Sequence, residues 1–419
     1  MKNLTKTIIA LLALTICSSA SAIDIVKSKK NIVDGINYQL NAKKELAVVV
    51  KNAQPYVGDI VIPEKITVDT ITYYVEEIDA GAFLNCSGMT SISIPKTVTK
   101  IGSEAFKGCT SLTTITLPAK ITELAVNLFE GCSSLTEVNL PTGVTKMESG
   151  VFRNCKSLEF FSFPESITKI PNSTFFGCSS LKSVDMPQSV VEFGSDVFEE
   201  CTSLETIDLP TGVKKMGDDV FKNCVSLKSI KFPSSMTKIS NEMFEGCSSL
   251  TEVEIPNSIM EIESKAFKDC SSLDSISLPN SLREMDNEVF LNCSNLRTVN
   301  IPNAMTKLPN GIFRNCTNLV TIKIPNAIKT IESNAFRGCT SLATITLPTA
   351  LKEIGGGAFA DCVNLMEVIA DGVSPAKINS NSFAKSTSRE GILKVRNSAV
   401  KNYELDKQWC KFLNVSTYK

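Results

Sequence analysis

From Phe83 to Cys362, apolar and polar positions recur on a beat of 23 residues that never slips. Thirteen cysteines mark it: Cys86, Cys109, Cys132, Cys155, Cys178, Cys201, Cys224, Cys247, Cys270, Cys293, Cys316, Cys339 and Cys362. Three residues before each stands Phe, from Phe83 to Phe359, and three after stands Leu, with Met89 the one substitute. Six and eight after come Ile, Val, Leu, Phe or Met, until Ala370 ends the run. Nine after comes Pro, from Pro95 to Pro348 in twelve consecutive units, and further apolar positions follow at twelve and fifteen, as in Val98 and Ile101. The unit reads F-x-x-C-x-x-L-x-x-I-x-L-P-x-x-V-x-x-I-x-x-x-A. A fixed period of this length predicts a solenoid, in which one small unit stacks on copies of itself. That overrides the two or three globular domains that 419 residues would otherwise suggest.

The half-unit L-x-x-I-x-L, as in Leu112-Thr-Thr-Ile-Thr-Leu117, alternates and is rich in β-branched residues, which predicts a strand with one face buried. The following Pro cannot donate to a ladder, so it ends each strand at the same place. Successive strands then lie parallel and in register, about 4.8 Å apart. The remaining residues return across the other face as a short turn of helix or irregular chain. Immediately before the cysteines stand Gly, Asn or Asp in twelve of thirteen units, residues that tolerate positive φ. A left-handed residue is therefore expected there, closing the turn as a helix C-cap does. Glu200 is the exception and would carry strain in that conformation.

Over residues 60–370 this unit resembles the leucine-rich repeats of the BspA-like, Treponema-type class, which read much like L-x-x-I-x-L-P-x-x-V-x-x-I-x-x-x-A-F-x-x-C. The resemblance implies a β-rich leucine-rich repeat solenoid of α/β type. A parallel in-register sheet would line the concave face, with short helical or 3-10 turns and irregular chain on the convex face, and a cap at both ends. It further implies secreted or surface proteins of bacteria and some protozoa, with roles in attachment and host contact. It implies no catalytic residues, so none are carried over.

The ends depart from the beat. Lys2 and Lys6 precede the apolar run Ile8 to Ile16, and Ala20-Ser21-Ala22 reads as a cleavage site, so residues 1–22 are expected to be a signal peptide. The run is too short to span a bilayer. Lipid processing at Cys17 is the alternative, with Ile16 a poor fit before it. Residues 23–59 are expected to form an N-terminal β cap, with strands at Ile36 to Leu40 and Leu46 to Val50. The spacing from Pro63 to Pro95 exceeds one unit, placing an insertion near 66–74, a small hairpin or loop. Residues 371–419 are expected to cap the other end, with a last strand at Ile392 to Val395. A short helix over Ser398 to Leu413 would bury Val400, Tyr403, Trp409 and Phe412. Neither a second domain nor a wall-anchor segment is expected after it.

Composition then narrows the chemistry. Lys plus Arg total 43 and Asp plus Glu 44, a net charge of -1 without a basic cluster, which argues against nucleic acid or a membrane surface as partner. No later segment is apolar enough to cross a membrane. The chain has no His and no C-x-x-C pair, so neither a metal nor another cofactor is expected. The cysteines of an exported chain invite disulfides. Strand-spaced Cβ atoms about 4.8 Å apart nevertheless exceed the ~3.8 Å of a disulfide, and thirteen is odd. They are read instead as small buried hydrophobes packed near the Phe one turn earlier. Without His the commonest general base is missing, and carboxylates such as Glu252 and Glu254 would lie on an open sheet, so no enzyme is expected.

Specific chemistry must then sit on the outward strand positions, four, five and seven residues after each cysteine. Much of that face is Thr and Ser. At the first of these positions Glu159, Lys182, Glu205 and Lys228 alternate in sign as stacked neighbours, which suits a self-compensating ladder. Phe160 is an aromatic on the outward side, the kind of residue that anchors a partner. Ser162, Asp185 and Asp208 lie close by. The candidate site is therefore Glu159, Phe160, Ser162, Lys182, Asp185, Glu205 and Asp208. It fits an exported, adhesin-like scaffold, extracellular or on the cell surface, with the periplasm as alternative location. Its partners would be surface proteins of a host or neighbouring cell. A glycan-binding surface and a structural surface protein without specific ligand are the alternatives.

Overall fold

The structure is a computed structural model that describes residues 31–419. The leader read over residues 1–22, with Cys17 inside it, lies outside the described residues. Stacked coils make a β-rich solenoid held by three parallel ladders. In the first, the L-x-x-I-x-L segments pair in register, for example Thr114–Thr116 with Glu137–Asn139 and Phe160–Ser162 with Ser183–Asp185. The ladder lapses at residues 206–208, which hold no strand. A second ladder of two-residue strands runs at fourteen and fifteen after the cysteine. Glu192–Phe193 lies in it between Lys169–Ile170 and Lys215–Met216. Its inward residue is the apolar position at fifteen, so the sequence period carries it although each strand is too short to show alternation.

The third ladder is in the turn that holds Phe and Cys. Every second N–H there donates to the next coil: Glu104 N–H to the Val126 carbonyl (2.9 Å), Phe106 to Leu128 (3.0 Å) and Gly108 to Glu130 (2.7 Å). The residue before each cysteine has positive φ in all thirteen units, from 58° at Asn154 to 77° at Gly246, Glu200 included at 62°. A second set sits four residues earlier, from Gly81 to Gly357, also positive in every unit. This set includes Glu104, Ser173, Glu242, Lys265 and Glu288, side chains that gave no signal of it. The returning segment is accordingly built of linked turns rather than a turn of helix. A helix cannot continue through two left-handed residues, each of which costs a side-chain-bearing residue about 1–2 kcal/mol. At Gly108 (φ 75°) the absence of a Cβ also leaves room for the Asn85 side chain of the preceding coil, which a Cβ there would displace.

Between the ladders the interior is sealed. Phe83 through Phe359, with Phe383 beyond them, form one column of near-parallel rings with centroids 5.1–5.7 Å apart. Tyr56 closes it at one end (4.9 Å) and Trp409 and Phe412 at the other (5.7 and 5.4 Å). Rings spaced wider than the coil step are offset-stacked, the favourable arrangement. The thirteen cysteines are free and buried. From Cys109 onward each thiol donates to the carbonyl of the Phe one coil earlier, as Cys224 does to Phe198 (3.1 Å) and Cys362 to Phe336 (3.0 Å). At the ends other atoms take the missing roles: Cys86 Sγ accepts the Tyr56 N–H (3.2 Å), and the Phe359 carbonyl accepts the Ala384 N–H (3.1 Å).

The ends are richer than the sequence pattern. Asn31–Val33, Ile36–Asn41 and Leu46–Val49 form an antiparallel meander, and Leu46–Val49 runs parallel to Ile71–Ile78. Lys65–Val68 and Ile71–Ile78 make a hairpin turning through Asp69 and Thr70, both at positive φ, and Glu77 and Ile78 enter the second ladder opposite Lys100–Ile101. At the other end parallel pairing continues past residue 370, and the strand expected at Ile392 to Val395 belongs to it. Ile392–Arg396 pairs in parallel with Glu367–Ala370, and Asn414–Tyr418 follows as a further strand. The spacing slips by one or two residues there, which hides the coil from a strict period while Phe383, Leu393 and Val395 still fill core positions. The helix expected over 398–413 is broken into Asn397–Ala399, Val400–Leu405 and Trp409–Lys411. Asp406 is extended, and its carboxylate instead accepts the N–H groups of Gln408 (2.9 Å) and Trp409 (3.0 Å).

Burial pushes the Cys178 thiol up to about 12, which leaves that thiol without reactive thiolate at neutral pH. Maleimide labelling with peptide mapping is expected to modify exposed Cys410 in the folded protein and the thirteen column cysteines only after unfolding. Rapid labelling of the column in the native state would contradict the buried thiol ladder. Phe221→Ala, in mid-column, is expected to cost about 3–5 kcal/mol in urea unfolding. Because each coil touches only its neighbours, the loss should also split or broaden the transition.

Candidate functional site

Five of the seven candidate residues lie on the first ladder at two adjacent strands, and Glu205 and Asp208 stand on the coil after them. Phe160 lies opposite Ser183 and Ser162 opposite Asp185, with Phe161 and Val184 between them turned into the core. Alternation along the strand thus puts Phe160 and Ser162 on the solvent side together. Phe160 is 54 % exposed, whereas Phe161 beside it is 3 % exposed and packs edge-on against Phe163 and Phe175. Ser162 Oγ donates to Asp185 Oδ2 at 3.1 Å, which orients the carboxylate across the coil step.

The alternating charges pair in twos rather than as one continuous ladder. Lys182 Nζ lies 2.7 Å from Glu159 Oε2, and Lys228 Nζ lies 2.5 Å from Glu205 Oε2, all four side chains well exposed. The Lys228 hydrogen bond lowers the Glu205 carboxyl below its ordinary value. Between the two pairs the ladder lapses, and Asp208 sits in that stretch, exposed and without an ion pair among the described residues. The structure therefore brings Glu159, Phe160, Ser162, Lys182 and Asp185 together on paired strands. Glu205 and Asp208 stand on the next coil, whose segment is not hydrogen-bonded as a strand. The arrangement offers one ring, a hydroxyl, carboxylates and lysines on an open face. It provides no enclosed nucleophile or base. Among the described residues no group of three or more Cys, Asp or Glu is placed to hold a metal ion. No helix among them is long and apolar enough to cross a membrane.

Two polar features escaped the sequence reading. Lys231 and Glu254 make a third exposed pair (2.8 Å) at the seventh position, beside Asp208. The alternating signs that revealed the first two pairs are present there too, across adjacent units. On the turn side, Arg153 stacks over the Phe176 ring at 4.1 Å, followed one coil later by Glu199. That carboxyl is pushed up from 4.5 to about 7, by burial first and then by Asp196 and Asp219, with Lys222 opposing. Lys222 is engaged with Asp219 (3.1 Å) and Glu242 (2.5 Å), so Glu199 is left without a close cation.

Comparison with known proteins follows the same lines. The family model described as the BspA type leucine-rich repeat region (6 copies) matches residues 76–205, 191–320 and 309–403. No curated protein matches the chain. A solved leucine-rich repeat protein from Bacteroides ovatus is 25 % identical and superposes with a TM-score of 0.71, covering 93 % of this chain and 100 % of its own. A leucine rich cell surface protein from Faecalibacterium prausnitzii is 28 % identical with a TM-score of 0.58, covering 82 % of this chain and 95 % of its own. A leucine-rich repeat protein from Eubacterium ventriosum, 22 % identical with a TM-score of 0.50, shares the fold, with 85 % of this chain and 94 % of its own covered.

The raised carboxyl of Glu199 sets a sign for pH. A carboxyl that binds its proton more tightly in the fold costs nothing below pH 4.5, where folded and unfolded chains are both protonated. The cost develops as pH rises and is complete above about 7. Glu199→Gln is therefore expected to raise the thermal midpoint at about pH 8 and leave it unchanged near pH 4. Equal midpoints at both values would refute this.

Proposed function

The chain belongs to the BspA-type leucine-rich repeat family, and on that premise we propose that it is a secreted or cell-surface scaffold that binds a protein partner with its strand face. The observation that carries the reading is Phe160. It is a large aromatic standing 54 % exposed on a polar stretch of the sheet, with Glu159, Lys182, Ser162 and Asp185 around it. Binding hot spots combine such an apolar anchor with a polar rim that excludes water at its edge. Glu205 and Asp208 extend the rim onto the next coil, where residues 206–208 hold no strand.

An adhesin-like role, with export to the surface, agrees with the signal-like pattern of residues 1–22 and with the surface description of the Faecalibacterium prausnitzii relative. The ion pairs on this face contribute little to stability, about 0.2–1 kcal/mol each, so their charges are available to select a complementary partner. Repeat arrays of this family act as scaffolds, and the reading assigns no reaction to the chain.

The test is capture from a host extracellular-matrix extract by the purified chain. Phe160→Ser is expected to weaken capture tenfold or more with the thermal midpoint unchanged, and exchanging charges at Glu159 and Lys182 together is expected to change partner preference. Capture that is undiminished by Phe160→Ser would dismiss the strand face as the binding surface.

A further inference from the structure

A groove of about 780 Å³ runs across the coils at the C-terminal ends of the first-ladder strands. It exists because the residue at the eighth position points inward and the Pro after it turns the chain away. The outward residues at positions seven and ten then stand as two walls. Phe232, Ile255 and Leu278 form an apolar floor, with Phe232 and Leu278 buried and Ile255 half-buried between them. One wall carries Ser234, Asn257 and Asn280 on successive coils, and the other carries Ser277 beside the Lys231–Glu254 pair. The only full charges there neutralise each other.

The amides along this wall are open. Stacked asparagines elsewhere in the molecule bond to one another, as Asn315 does to Asn292 (2.9 Å) and Asn318 to Asn295 (3.2 Å). The side chains of Ser234, Asn257, Ser277 and Asn280 make no hydrogen bond among the described residues, and neither do those of Asn303 and Asn326, which extend the same row. The wall thus presents paired donors and acceptors at the coil step of about 4.8 Å.

We propose that this groove is a second binding site, for an uncharged polysaccharide laid across the coils. Carboxamides and hydroxyls match vicinal sugar hydroxyls, which both donate and accept, and a neutral lining suits a neutral polymer. A chain of sugar rings can place its hydroxyls against successive coils as it advances. An extended peptide fits less well, because a strand added here would need free backbone groups to pair with. The strand-end backbone is already used: Phe232 N–H donates to Glu254 (3.1 Å) and Leu278 N–H to Asn300 Oδ1 (3.0 Å). This site does not depend on the strand-face reading, since it shares no residue with the cluster around Phe160.

Affinity electrophoresis of the full chain through gels containing galactomannan, mixed-linkage glucan or mannan tests it, with polygalacturonate as the charged control. Retardation by at least one neutral polymer is expected. The variant carrying Asn257→Ala and Asn280→Ala should bind it at least tenfold more weakly at an unchanged thermal midpoint, while Phe160→Ser should bind as the parent does. Retardation by polygalacturonate alone, or equal retardation of the double variant, overturns the site. So does competition by extended peptides without binding of any neutral polymer.

Discussion

Backbone polar groups that a coil does not pair within its own tight turns must be satisfied on the coils to either side, at the same height and in the same order. A buried N–H or C=O left alone costs about 1–3 kcal/mol, and the tight turns of a coil pair only part of its own groups. Three ladders meet that demand at three places around the coil: the strand face, the two-residue strands and the turn. The turn ladder asks most of the chain. Its alternate N–H groups reach the next coil only if two residues per unit take left-handed φ, and the molecule accepts Glu, Lys and Ser in that conformation to keep it.

Once the coils are locked in register, identical side chains must lie over one another. The Phe column and the Cys column are consequences of that geometry. Aromatic rings repeat at a distance suited to offset stacking, and each thiol falls beneath the carbonyl of the previous Phe. A hydrogen bond of this kind is worth about 0.5–1.5 kcal/mol net, repeated along the column. The cysteines of the array are therefore structural donors as well as packing atoms, which explains why the position takes Cys and not Ala or Val. Where the column stops, Tyr56 and Ala384 supply the missing partners, so the ends are finished by hydrogen bonding as well as by apolar cover.

The same register governs what is free to bind. Inward positions and turn residues are committed to neighbouring coils, whereas outward positions are constrained only not to clash or repel. Glu159 with Lys182 and Glu205 with Lys228 resolve that constraint by pairing, and Phe160 stands outside it. The row from Ser234 to Asn326 leaves its amides unpaired, in contrast to the bonded rows at Asn292 and Asn295. Surfaces of this molecule therefore differ less in shape than in which polar groups have already found partners.

The coil, its strand and the left-handed residue before each cysteine were legible in the sequence, because they depend on residue type at a fixed period: β-branched alternation, a terminating Pro, and Gly, Asn or Asp at one place. The second left-handed position was not legible. Glu104, Lys265 and Glu288 are held there by ladder bonds to the next coil against their own preference. The continued pairing past residue 370 was legible only as the strand at Ile392 to Val395, since a shift of one or two residues destroys a period while Phe383 and Leu393 still reach the core. Sequence alone determined the repeating architecture and the residues turned outward, because both follow from local chemistry summed over identical units. Only the tertiary structure decided which charges pair, which amides stay open and where the thiols donate. Those outcomes depend on distances between coils, and no single coil contains them.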